Sequence, residues 1–219
     1  MKGTCPWATA DTAGFVLAGG QSRRMGTDKA AVLLGAETLL ARALGKIQDV
    51  GLRASIAGGN PDRWPQVQVI QDEGGGPLSG ICAALESCVS QRALFLPVDQ
   101  PLMPVAALLG LLRHASLVAS SAAIFSSNGM AETFPVLLSR DMLPGLRRQL
   151  ALQNRGCLAA IRAAAAEGSR PILVVSAERL AQQGLCLEDN ALPTRLWFMN
   201  VNTPADLELA RHLLRTPIG

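Results

Sequence analysis

Short apolar runs of four or five residues alternate with amphipathic runs of ten or more along nearly the whole chain, and that rhythm admits few folds. The apolar runs are Phe15–Ala18, Arg53–Ala57, Val67–Gln71, Ala93–Pro97, Ala122–Phe125, Phe134–Leu138 and Ile172–Val175. Between and after them, helical periodicity covers Thr38–Ile47, Leu78–Val89, Val105–His114, Arg140–Leu152, Cys157–Glu167 and Pro204–Leu214. Strands buried on both faces and separated by helices predict an α/β fold, with a mostly parallel central sheet between two helical layers. A chain of 219 residues with 49% hydrophobic content buries a full core as one domain. There is no internal repeat and no linker-like stretch. The reading is a single domain over 14–219, preceded by a flexible tail over 1–13 that lacks the apolar segment of a signal peptide.

The first strand candidate runs into Leu17-Ala-Gly-Gly-Gln-Ser-Arg-Arg-Met-Gly-Thr-Asp-Lys29. Gly19 and Gly20 let the backbone turn sharply and offer bare N–H groups to an anion. Arg23, Arg24 and Lys29 add three cations close by. A strand, a glycine turn and clustered cations make a polyphosphate site. The spacing is neither that of a Walker loop nor that of a dinucleotide fingerprint.

Ligands of such sheets bind beyond the carboxyl ends of the strands, so the residues after each strand are the ones to read. After Ile70 comes Gln71-Asp72-Glu-Gly-Gly-Gly-Pro77-Leu-Ser-Gly80, a loop that admits close backbone approach and feeds a helix. Leu94-Phe-Leu-Pro-Val-Asp99-Gln-Pro101 ends an apolar strand in one carboxylate, which is enough for magnesium with phosphate oxygens and water. In Met199-Asn200-Val-Asn202-Thr-Pro204, strand alternation puts both amides on one face, suited to a phosphate or a heteroatom-rich ring. Thr203, Pro204 and Asp206 read as a helix start with a capping box.

Taken together, these segments resemble the molybdenum cofactor guanylyltransferases, members of a larger group of nucleotidyltransferases with a Rossmann-like fold. The likeness is dense over residues 14–35 and returns in Gly76-Pro-Leu-x-Gly80, in Pro97-x-Asp99-x-Pro101 and in Asn200-x-Asn202-Thr-Pro204. The resemblance implies GTP contacts from Leu17, Ala18, Gly19, Gly20, Lys29, Asp72 and Asp99. It implies molybdopterin contacts from Gly76, Gly80, Asn200 and Asn202, and a magnesium ion on Asp99. One departure stands out: the family often has an asparagine about where Gly58 lies, and Asn60 is the substitute in this chain.

The chemistry implied is transfer of GMP from GTP to the terminal phosphate of molybdopterin or molybdenum cofactor, with release of pyrophosphate. Arg24 and Lys29 neutralise charge on the α-phosphate and the departing pyrophosphate, and Asp99 holds the metal. A phosphate monoester is already ionised at neutral pH, so no general base is required. Cytidylyl transfer to the same cofactor is the nearest rival; sister cytidylyltransferases carry Leu-Ala-Ala-Gly where this chain has Leu-Ala-Gly-Gly. A non-catalytic protein that delivers cofactor is the rival from another class. Recipient molybdoenzymes or delivery chaperones are the protein partners such a product implies.

Composition excludes other classes. A net charge of +3 and 4% aromatic residues, with no tyrosine, do not make a nucleic-acid surface. No apolar stretch is long enough to span a membrane, so the cytoplasm is expected. The five scattered cysteines form no C-x-x-C pair and read as reduced, mostly buried thiols rather than as disulfides or a zinc site. His114 and His212 fall late in helical runs and are given no chemistry.

Overall fold

The computed structural model describes residues 11–18, 28–154, 156–168, 170–184 and 192–215. The chain runs β1 (Thr12–Leu17), β2 (Leu33–Leu34), β3 (Glu37–Thr38), α1 (Leu39–Asp49), β4 (Ala54–Ala57), β5 (Val69–Ile70), α2 (Pro77–Ser87) and β6 (Arg92–Pro97). It continues through α3 (Val105–Leu117), β7 (Ala122–Ser127), β8 (Met130–Ser139), α4 (Leu143–Ala151), α5 (Cys157–Glu167), β9 (Ile172–Ser176), α6 (Ala177–Gln182), α7 (Thr194–Trp197) and α8 (Pro204–Arg215). One-turn 3-10 helices lie at Lys29–Ala31, Pro61–Arg63 and Arg140–Met142.

Seven strands form one sheet in the order β5-β4-β1-β6-β8-β7-β9. β8 alone runs against its two neighbours, β6 and β7. The other pairings are parallel. Side chains alternate between two cores. Val16 packs with Ile47, Leu94 and Leu108 on one face, beside α1 and α3. Phe15 and Leu17 pack with Ile81, Phe95 and Ile161 on the other, beside α2 and α5. The fold is therefore a single three-layer α/β/α domain, mostly parallel and Rossmann-like, as the alternating pattern led one to expect.

All seven strand candidates and all six helix candidates have counterparts; the helix over Cys157–Glu167 keeps its expected ends, and the others are shifted at one end or both. β1 starts at Thr12, inside the stretch read as tail, whose residues 1–10 lie outside the described part. The run read as one helix over Arg140–Leu152 is a 3-10 turn leading into α4. The strand expected around Asn200 and Asn202 is absent: both lie in a loop between α7 and α8. Pro193 precedes α7, Pro204 opens α8, and Val201 N donates to Asp99 O at 2.8 Å as a solitary tie to the strand side. Alternation there marks one buried residue, Val201, between two more accessible amides.

Connections place the cleft. From β1 the chain passes along one face through α1 to β4. It returns from β5 along the opposite face through α2 to β6, on the other side of β1. That reversal between β1 and β6 is the switch point at which open α/β sheets bind ligands.

Candidate active site

Register brings the strand ends level: Leu17 pairs with Ala57 on one side and with Pro97 on the other. Past these ends the backbone ties continue, from Ala18 N to Ala57 O at 3.2 Å, Val98 N to Leu17 O at 3.1 Å and Gly58 N to Ile70 O at 2.9 Å. Ala18, Gly58 and Val98 thus leave the sheet along one rim, and Asp99 follows directly. Gly19, Gly20 and Arg24 fall outside the described residues.

Lys29 returns to that rim from the far end of the glycine motif. Asp28 caps its 3-10 turn, Oδ1 accepting from Ala30 N at 3.1 Å, while Oδ2 lies 2.6 Å from Arg63 Nη1. Held in this way, Lys29 Nζ reaches Asp99 Oδ2 at 3.0 Å and donates to Asn202 Oδ1. The two side chains of the ion pair are 18% and 22% exposed, so solvent and salt screen it less than a surface pair. The cation and the carboxylate read from separate motifs thus meet at the switch point, 70 residues apart in sequence.

Asn202 owes its place to the start of α8. Asp206 Oδ2 accepts from Asn202 N at 3.0 Å and Thr203 N at 2.8 Å, and Asp206 N donates to Thr203 Oγ1 at 3.2 Å. This is the capping box read from Thr203 and Asp206, extended by one residue. The N–H of Asn202, with help from the Thr203 hydroxyl and N–H and from the Lys29 charge, holds the Asp206 carboxyl below its ordinary value against the opposing effect of burial. Asn200 is exposed.

A second cluster forms at the end of β5. Gly74, Gly75 and Gly76 have φ of 79°, 111° and 100°, a left-handed run that side chains disfavour. It delivers Pro77 to the first position of α2. A Cβ on Gly80 would lie 3.6 Å from Asp72 Oδ2 and 3.6 Å from Ala57 O, so the first turn of α2 sits directly on the β4 end and the Asp72 carboxylate. Outward from Asp72 a groove of about 610 Å³ runs between α2 and α4, lined by Glu73, Ser79, Cys82, Glu86 and Arg147. Asn60 caps the Pro61–Arg63 turn, its Oδ1 accepting from Asp62 N at 2.9 Å, which commits that oxygen locally.

Sequence reasoning passed over several residues that hold this arrangement. Arg63 grips Asp28 from the β4–β5 connection. Glu178, at the start of α6, accepts from Asn128 N at 2.9 Å, Ser176 Oγ at 2.9 Å, Ser127 Oγ at 3.2 Å and Thr194 Oγ1 at 3.3 Å. It fastens the β7–β8 turn and the start of α7, the segment that leads to Asn202. Burial pushes its carboxyl up, but the bonds from Asn128 N, its own N–H, Ser176 and Ser127 outweigh that and hold it below its ordinary value. The one advance signal for either residue is an acid or base beside a helix start.

The MobA-like NTP transferase domain family matches residues 14–170, most of the chain and all of the rim described above except the Asn202 knot. The chain belongs to this family. Among its MobA-like relatives, the probable molybdenum cofactor guanylyltransferase of Chloroflexus aggregans is 31% identical over 212 residues, covering 93% of this chain and 95% of that protein. The molybdenum cofactor guanylyltransferase of Rhizobium johnstonii is 36% identical over 141 residues, covering 59% of this chain and 66% of its own. The fold superposes on molybdopterin-guanine dinucleotide biosynthesis protein A from Archaeoglobus fulgidus with a TM-score of 0.74 at 21% identity, over 92% of this chain and 98% of that one. It also matches 2-C-methyl-D-erythritol 4-phosphate cytidylyltransferase from Thermus thermophilus, with a TM-score of 0.63 at 16% identity over 92% and 98%. Membership makes this chain a nucleotidyltransferase. No helix among the described residues is long and apolar enough to cross a membrane.

Proposed function

We propose that this MobA-like transferase moves GMP from GTP to the terminal phosphate of molybdopterin or molybdenum cofactor, forming the guanine dinucleotide cofactor and pyrophosphate. The observation that carries the reading is the Lys29–Asp99–Asn202 knot at the switch point, joined to relatives of nearly equal length that bear the guanylyltransferase name.

GTP's triphosphate lies against the Leu17–Gly20 segment of the motif and Lys29, with Arg24 adding charge from the same motif. Lys29 exchanges its resting partner Asp99 for phosphate oxygens, and its fixed position makes it a charge stabiliser that needs no rearrangement as the reaction proceeds. The described residues hold no cluster of three or more His, Cys, Asp or Glu side chains that encloses a metal. A single accessible carboxylate beside a triphosphate fits magnesium, which keeps several waters and takes few protein oxygens. Asp99 would hold it, and magnesium supplies Lewis-acid neutralisation of phosphate charge when bound.

The acceptor phosphate oxygen forms a bond to the α-phosphorus, and the bond from that phosphorus to the β-bridging oxygen breaks with its electron pair leaving on pyrophosphate. Because a phosphate monoester has its second pKa near 6, no side chain is needed to remove a proton. Gly76, Gly80, Asn200 and Asn202 face the acceptor, and Asp72 faces the nucleoside. Positioning and electrostatics do the work. Pyrophosphate release measured with molybdopterin, magnesium and GTP, CTP or ATP separately tests this. GTP is expected to be preferred at least tenfold. Preference for CTP would replace the guanine assignment, and no release with any nucleotide would favour the delivery role.

A further inference from the structure

Asp99 sits at the head of a loop that supplies few bonds of its own. Pro101 and Pro104 carry no N–H, and the turns are closed only by Gln100 N to Pro97 O and Met103 N to Gln100 O, each at 3.4 Å. Leu102 and Met103 are buried, so water does little for the carbonyls beside them. Gln100 is 6% exposed, and its Oε1 has no partner among the described residues. Lys29 holds the Asp99 carboxylate at rest but turns to phosphate oxygens once nucleotide binds, so the aim of Asp99 then depends on how the loop itself is held from outside.

Lys46 is that support. It lies in the last turn of α1, half-buried, between Ala43 and Ile47 of the core face. Its stem follows apolar surface while the ammonium reaches across to donate to Pro101 O at 2.6 Å and to Met103 O. One cation gathers two carbonyls on the far side of the loop. On the near side, Val98 N bonds Leu17 O and Val201 N bonds Asp99 O, at 3.1 and 2.8 Å. Asp99 is therefore held between the strand rim and the Lys46 ammonium, which binds the carbonyls two and four residues downstream of it. Hydrogen bonds from a charged donor are about twice as strong as neutral ones, and a cation near a helix C-terminus also meets favourable partial charge.

We propose that Lys46 is a positioning residue for the metal-binding carboxylate: it sets the Asp99 loop so that magnesium and nucleotide bind together. The inference rests on the reading of Asp99 as the magnesium ligand. It goes beyond that reading by assigning part of the metal affinity to a helix on the opposite side of the loop. Partners bonded directly to a metal ligand typically account for 10- to 100-fold in metal affinity; Lys46 acts through the backbone two residues beyond the ligand, so its share lies at the lower end, about tenfold.

GTP binding to the whole protein, measured calorimetrically in magnesium and in EDTA, gives the test as a ratio of affinities. Lys46→Met is expected to reduce the magnesium enhancement roughly tenfold while leaving affinity in EDTA within twofold. Lys46→Arg, which keeps charge and several donors, is expected to restore most of it. Lys46→Gln, with donors but no charge, is expected to lose less than the methionine variant and carries the test should that variant fail to fold. A brace that merely stabilises the domain would lower the melting temperature and move both affinities alike, which overturns the proposal. Intact enhancement in Lys46→Met, alongside its loss in Asp99→Asn, also overturns it while sparing the metal reading. Intact enhancement in Asp99→Asn removes the metal reading and the Lys46 role together.

Discussion

Replacing Gly80 with alanine separates stability from activity in a way the geometry makes quantitative. Gly80 is the fourth residue of α2 and lies in helical backbone, where glycine is less favourable than alanine by about 0.5–1 kcal/mol. The added methyl group would meet Ala57 C, Ala57 O and Asp72 Oδ2, all at 3.6 Å, which is ordinary contact and requires no movement. Gly80→Ala should thus gain up to about 1 kcal/mol, equivalent to a rise of roughly 2–4 °C in melting temperature for a domain of this size. The same methyl group projects beside the Asp72 carboxylate, and under the proposed function Gly80 borders the path of the acceptor. Moving a reacting group by about 1 Å costs on the order of 100-fold in rate. The assay is thermal unfolding by circular dichroism together with single-turnover pyrophosphate release. A lower melting temperature would refute the packing argument. A raised melting temperature with full turnover would show that no ligand comes close to Gly80.

Four further outcomes follow from particular contacts. Lys29→Ala is expected to slow pyrophosphate release by roughly 100-fold or more, as loss of one preorganised charge-stabilising group does, with the far-ultraviolet spectrum unchanged; full activity would remove Lys29 from the chemistry. Gly14→Ala is expected to destabilise the domain by about 1–3 kcal/mol in urea unfolding, because its Cβ would overlap Ile47 Cγ2 with Leu52 Cβ at 3.2 Å; an unchanged midpoint would contradict this. The lowered Asp206 carboxyl contributes stability above the ordinary carboxylate range that is lost as pH falls through its lowered value, so Asp206→Asn should flatten the acid side of the stability profile. Burial raises Cys82 and Cys157 to about 11, so in a Cys5→Ser/Cys88→Ser/Cys186→Ser background both should react far more slowly with a disulfide reagent at pH 8 in the folded protein than after unfolding; equal rates would contradict this.

What the sequence disclosed, and what it hid, follows from the range of the interactions involved. β1 and β6 were legible because Val16, Leu94, Phe95 and Leu96 are buried on alternate faces of one layer, which leaves an unbroken apolar run. The β2–β3 hairpin has two residues per strand, and α6 and α7 have six and four, too short for any period to register. Asn200-Val-Asn202 imitated a strand because polar–apolar alternation also describes a loop with one inward residue. That Lys29 and Asp99 serve one cleft could be anticipated, since one belongs to the motif that follows β1, the other follows β6, and the rule for open sheets brings such ends together; their direct ion pair could not be. Lys46 could not. Nothing local distinguishes it from a solvated lysine, and its two carbonyl partners lie 55 and 57 residues away.

The most direct test of the paired site is a double-mutant cycle on Lys29 and Asp99, read as single-turnover release of pyrophosphate from GTP and molybdopterin in magnesium. Groups that serve one triphosphate as a unit lose their effects non-additively. Lys29→Ala and Asp99→Asn together should therefore be little slower than the worse single variant. Losses that multiply in the double variant would mean that the two residues act independently, and would contradict a shared site.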